Sequence, residues 1–101
     1  MSAKTVSGIK NFLSDVPEQY VFRCHNGSIL HNMKELEKEL KTINAEDYGF
    51  HANVEKNDFA TWVQDIIKDE TLSKNLRKTA NQQQASAIVS RRIAAISKKR
   101  A

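Results

Sequence analysis

The chain has 101 residues, 40% of them hydrophobic and 28% charged, with a formal net charge of +4. That length supports one domain with a single modest core, and no apolar run approaches the ~20 residues a membrane span requires. Cys24 is the only cysteine, so an intrachain disulfide is excluded. With no signal-like apolar segment at the N-terminus, we expect an intracellular, cytoplasmic protein.

The net charge hides a division. Residues 16–72 carry six basic and eleven acidic side chains; residues 73–101 carry eight basic ones and no acidic one. In chain order, residues 5–16 read as a short helix, with Val6, Ile9 and Leu13 on one side and Phe12 beside them. Pro17 ends it, because the residue before a proline is pushed out of the helical region. Residues 20–24 have strand composition, His25-Asn26-Gly27-Ser28 carries the Asn-Gly hairpin signal, and Ser28 to Leu30 form the return strand.

Asn32 caps the next helix and Glu35 stands three residues on, a capping-box-like pair. Met33, Leu36, Leu40 and Ile43 follow on one face. Asn44-Ala45-Glu46-Asp47 is again helix-start chemistry, so Tyr48, Phe50 and His51 are read as helical. A loop over 53–56 leads into the central helix, 57–69. There Phe59, Trp62, Val63, Ile66 and Ile67 fall at i, i+3, i+4, i+7 and i+8, one apolar stripe. Asn57 is its N-cap, and Asp58 places a negative charge at the positive end of the helix dipole. Asp69 can cap a further helix through Leu72 and Leu76. Its stripe breaks in phase over 79–86, read as a hinge or weak helix. An amphipathic helix follows, with Ala85, Val89, Ile93 and Ile96 on one side and Ile88 adjacent.

Phe22, Gly27, Leu30, Leu36 and Leu40, then His51, Asn57-Asp58-Phe59-Ala60, Trp62, Asp69 and Leu72, form a pattern. On it, residues 20–77 resemble a small prokaryotic and archaeal domain of unknown function. The resemblance implies an intracellular domain of this size and brings no activity with it. His51, Asn57, Asp58 and Trp62 are its sharpest signature.

Three constellations are candidates for chemistry. Cys24, His25, His31 and His51 are zinc-type ligands. Cys24 and His25 are adjacent, however, and on a strand point to opposite faces; no close Cys or His pair exists, so no metal is expected. His51 with Asp58 beside Trp62 could serve as a general base. No nucleophile or oxyanion-hole motif accompanies it, so the four signature residues are read as structural and no enzyme activity or cofactor is expected. The third is the basic set Lys74, Arg77, Lys78, Arg91, Arg92, Lys98, Lys99 and Arg100. Its density suits polyanion binding by counterion release, and with no aromatic residue it offers no base-stacking platform.

The sequence thus predicts a mostly α (α+β) fold: a small helical domain over 1–78 with one short β-hairpin, whose apolar stripes end by Leu76, and a basic C-terminal extension over 79–101. The expected function is nucleic-acid binding, of the chromatin-associated kind, through phosphate contacts of that extension. The alternative is a protein-interaction or self-association module that docks a partner or a second copy on Val89, Ile93 and Ile96.

Overall fold

A computed structural model of the chain describes residues 12–100, with side chains described for residues 12–98. The fold is mostly helical. Among the described residues, five α-helices surround one core and a two-stranded antiparallel hairpin lies against it. The elements are β1 (Phe22–Arg23), β2 (Ile29–Leu30), α1 (Met33–Thr42), α2 (Ala45–His51), α3 (Asp58–Trp62), α4 (Glu70–Arg77) and α5 (Gln82–Arg100). The helix expected over 5–16 lies largely outside the described residues. Within them, Phe12, Leu13 and Val16 pack against the core.

The hairpin is shorter than its composition suggests. Glu18–Tyr20 form a 3₁₀ turn, and only Phe22↔Leu30 and Arg23↔Ile29 pair as strands. The Cys24 amide donates to the Ser28 carbonyl (2.8 Å) and the Gly27 amide to the Cys24 carbonyl (2.9 Å). Gly27 closes the turn at φ +97°, a backbone region glycine enters without steric cost. So small a sheet needs helices beneath it. Phe22 supplies the contact: its ring stacks on Phe59 (5.0 Å) and meets Trp62 edge-on (5.8 Å).

Four helix starts follow their caps. Asn32, Asn44, Asn57 and Asp69 accept from the amides of Glu35, Asp47, Ala60 and Leu72, meeting one orphan donor in each first turn. The reciprocal arm of the box at α1 reaches one residue further back than expected. Glu35 Oε1 accepts from the His31 amide at 2.7 Å, and the His31 ring lies 2.9 Å from the same oxygen.

The central helix departs from regular periodicity. After Trp62 the chain widens into a π-helical turn, Val63–Ile67, and the amides of Lys68 and Asp69 both donate to the Val63 carbonyl. Lys68 leaves it in the left-handed region at φ 75°. One extra residue per turn rotates the end of the stripe. Ile67 is therefore buried, whereas Ile66, which a regular helix would place nearer the centre, is only half-buried. Phe59, Trp62 and Val63 are buried as their spacing implies, and the Trp62 indole donates to the Tyr20 carbonyl at 2.7 Å.

The largest correction concerns residues 79–101. They do not hang from a finished body. Ala85, Val89 and Ile96 of α5 are buried in the same core as Leu36, Leu40, Leu72 and Leu76, with Ile88 and Ile93 packed against it. The most extensive helix–helix contact is α1 with α5. Gln82 donates its side-chain amide to the carbonyls of Leu40 (2.9 Å) and Ile43 (2.6 Å), meeting acceptors that the end of α1 leaves open. The phase break falls on a short turn between Arg77, where α4 ends, and Gln82, where α5 starts; residues 82–86 already belong to α5, and both stripes meet one core. Without residues 80–101 the body would expose the apolar side of α1, so its stripes do not end at Leu76.

Candidate functional site

His51 is 5% exposed, with its ring among those of Phe22, Phe50 and Phe59. Its Nε2 accepts from the His25 backbone amide at 2.9 Å. A backbone amide can only donate, so Nε2 is the unprotonated nitrogen. Nδ1 then carries the hydrogen and donates it to Asp58 Oδ2 at 3.1 Å. Both ring nitrogens are committed, which leaves no lone pair for a metal or a substrate proton. Asp58 also takes Lys56 at 3.0 Å, and the Asn57 side chain donates to the Leu76 carbonyl at 3.3 Å. Together these bonds tie the hairpin turn and α2 to the start of α3, and α3 to the end of α4.

The same region is braced on its open side. The His25 ring stacks on Phe50 (4.2 Å) and lies 2.9 Å from Asp47 Oδ1; Asn26 donates to Glu39 at 2.8 Å. Burial pushes the Cys24 thiol up to about 12, with Glu39 and Asp47 adding to it, so the thiolate needed for nucleophilic or redox chemistry does not form near neutrality. Cys24, His25, His31 and His51 do not converge. Among the described residues no group of three or more His, Cys, Asp or Glu side chains could hold a metal ion.

The basic residues separate into three groups. Arg92 is turned inward. Its Nε and Nη2 donate to the two carboxylate oxygens of Asp69 (2.7 and 3.1 Å), and Asp69 is 1% exposed while also capping α4. Phe12 lies against the guanidinium at 5.8 Å. Arg77 donates to Thr61 Oγ1 at 3.2 Å and lines a hollow of about 580 Å³ shared with Tyr48, Val54, Lys56 and Thr79. Lys74, Lys78, Arg91 and Lys98 are exposed, and none of them has an ion-pair partner among the described residues. The side chains of Lys99 and Arg100 lie outside those described.

One of the open cations, Arg91, lies where α4 and α5 meet. Thr71 and Asn75 of α4 face Ile88, Arg91 and Ala95 of α5 across a groove of about 250 Å³. Lys74 stands three residues beyond Thr71, a neighbouring position on the helix surface, and Lys78 follows directly on the end of α4. Asp69 is the site residue whose bearing on the basic set sequence reasoning missed. A lone acid ahead of a helix reads as a cap, and nothing local announces a partner 23 residues away. No protein-family model, characterised protein or solved structure matches this chain.

Proposed function

We propose that this chain is an intracellular nucleic-acid-binding protein that contacts phosphates through the surface formed by α4 and α5. The observation that carries this reading is the set of unpaired cations. Lys74, Lys78, Arg91 and Lys98 are open to solvent, and residues 73–98 hold no acidic side chain to compete for them. In the body, Lys41 and Lys56 are each paired with a carboxylate, and the cations exposed without an ion-pair partner among the described residues, Arg23, Lys34, Lys38 and Lys68, stand in a stretch rich in acidic side chains; it is the absence of acidic neighbours that sets α4 and α5 apart. Leaving like charges unpaired on adjacent helices is useful when a polyanion supplies the counter-charge and releases its own counterions. Arg92, fixed on Asp69, has a structural task instead. His51, Asn57, Asp58 and Trp62 then serve as the module's folding signature, and a catalytic role is disfavoured by the two occupied nitrogens of His51.

The alternative, a partner or second copy docked on Val89, Ile93 and Ile96, competes with the protein's own core for those side chains. The test is fluorescence anisotropy of labelled DNA across a salt series. With four phosphates neutralised, log K should fall with log salt at a slope of about −3.5. The variant combining Lys74→Gln, Lys78→Gln, Arg91→Gln and Lys98→Gln should fold normally and lose most of both the affinity and the slope. No binding at ~10 mM salt, where screening is weakest, or a slope unchanged in that variant, would sink the reading.

A further inference from the structure

Resting on that reading, we propose that the outward face of α5 lies in the major groove of B-form duplex DNA. Gln83, Ala87, Arg91, Ala94 and Lys98 are all exposed. Their spacing of i, i+4, i+8, i+11 and i+15 puts them on one stripe of the helix. At 1.5 Å per residue it runs for about 22 Å. The opposite side is fixed to the protein. Ala85, Val89 and Ile96 are in the core, Gln82 holds the end of α1 and Arg92 grips Asp69, while at the edge of the stripe Ser90 donates to Glu37. The helix is thus presented as a rod whose open side carries positive charge.

Dimensions and chemistry select the occupant. An α-helix with its side chains is about 10–12 Å across, and the major groove of B-DNA is about 12 Å wide. Alanine at 87 and 94 keeps the open side close to the helix backbone, where longer side chains would hold it off. The major groove of A-form RNA is too narrow and deep for side chains to read. A single strand asks for aromatic platforms, and α4 and α5 contain none. Arg91 has the donor pair that meets guanine O6 and N7, and Gln83 the donor and acceptor that meet adenine N7 and N6. Lys98, with Lys74 on α4 and Lys78 just past its end, would take phosphates and set the register. Gln84, whose side-chain oxygen accepts from the Ala80 amide at 2.7 Å, stays with the interhelix link. That link is only residues 78–81, so α4 sits beside the backbone while α5 enters the groove, the placement used by helix–turn–helix pairs. Glu37, beside the stripe at Ser90, has Lys41 at 3.5 Å as its counter-ion.

The experiment compares the full chain on a DNA duplex, one of its separated strands and an RNA duplex of the same sequence. It adds dimethyl sulfate footprinting of guanine N7, which reports the major groove. Ala94→Trp widens the stripe without touching a charge; circular dichroism checks its fold. Tighter binding to the DNA duplex than to either alternative is expected, with N7 protection by the native chain. Ala94→Trp should weaken duplex binding by about tenfold, near the low end of what a lost base-edge contact costs. Equal affinity for the RNA duplex or the single strand would overturn the groove assignment. So would an unprotected N7 under saturating protein. In both cases the phosphate-binding reading survives. No binding to any of the three at low salt would overturn both. If Ala94→Trp melts early, N7 protection by the native chain decides alone.

Discussion

The hairpin–α2–α3 region and the α4–α5 pair treat their charges in opposite ways. Around His51 the polar groups are used on one another: His25 with Asp47, His51 and Lys56 with Asp58, Asn26 with Glu39. On α4 and α5 only Arg92 has an ion-pair partner among the described residues, and Lys74, Lys78, Arg91 and Lys98 are left open. Paired groups define a shape, because each bond fixes two side chains. Unpaired like charges contribute nothing to shape and mark where an outside counter-charge fits. Arg92 belongs to the first kind although its neighbours in sequence belong to the second.

The sharpest way to break this comparison is to remove α5. A chain ending at residue 79 loses Ala85, Val89 and Ile96 from the core and Gln82 from the end of α1, so we expect no cooperative thermal transition by circular dichroism. A folded, cooperative fragment would restore the picture of a body with a tail. Trp62→Ala comes next. Truncating a buried aromatic typically costs ~3–5 kcal/mol, and here the hydrogen bond to Tyr20 is lost as well. Urea denaturation measures it, and an unchanged midpoint would remove α3 from its central place.

Asp69→Ala should cost about 2–4 kcal/mol. It uncaps α4 and leaves Arg92 without its carboxylate, though the quarter-exposed guanidinium keeps this below the full range for a buried pair. Asp69→Asn should recover part of the loss by keeping the cap. If both variants are equally stable to wild type, Arg92 is a surface charge after all. At His51 and Asp58 a double-mutant cycle should return a favourable coupling, and Asp58→Ala alone should cost about 0.5–2 kcal/mol through lost helix-start interactions. Additive effects would mean that the observed bond is energetically idle.

The smallest effect is a pH dependence at the start of α1. The hydrogen bond to Glu35 raises the pKa of His31 above its ordinary 6.5, and that contribution is complete below 6.5 and fades as pH rises through the raised value. Bonds from His31, the backbone amide first, hold Glu35 below its ordinary 4.5; that contribution is complete above 4.5 and fades as pH falls through the lowered value. The pair should therefore stabilise most between about pH 4.5 and 6.5. Melting temperatures of wild type and His31→Ala should differ most near pH 5.5 and converge towards pH 8. A difference that grows with pH would show the pairing to be misassigned.

What could be read from the sequence was local. The caps Asn32, Asn44, Asn57 and Asp69 depend on residues three positions away, and each acts as its residue type implies. The stripes of α1 and α4 needed only their own periodicity. The π-helical turn was not legible, because a regular stripe at 59–67 is equally compatible with an α-helix until the core decides which isoleucine faces it. The role of α5 was hidden for a different reason. Ala85, Val89, Ile93 and Ile96 announce an apolar side, yet a sequence does not say whether that side meets a partner or its own α1. The His25 amide bond that fixes the His51 tautomer uses a backbone donor, which every residue except proline has and no pattern singles out.

The contact of α1 with α5 also sets an order of events during synthesis. Leu36 and Leu40 leave the ribosome long before Val89, and at roughly 5–20 residues per second the interval lasts several seconds. Throughout it the apolar side of α1 is left without its cover, and local elements can form while the whole cannot close. α5, made after every other helix that lines the core, is the one that completes it. Premature termination anywhere before it would release an open chain with that side bare, a form suited to recognition by chaperones and proteases.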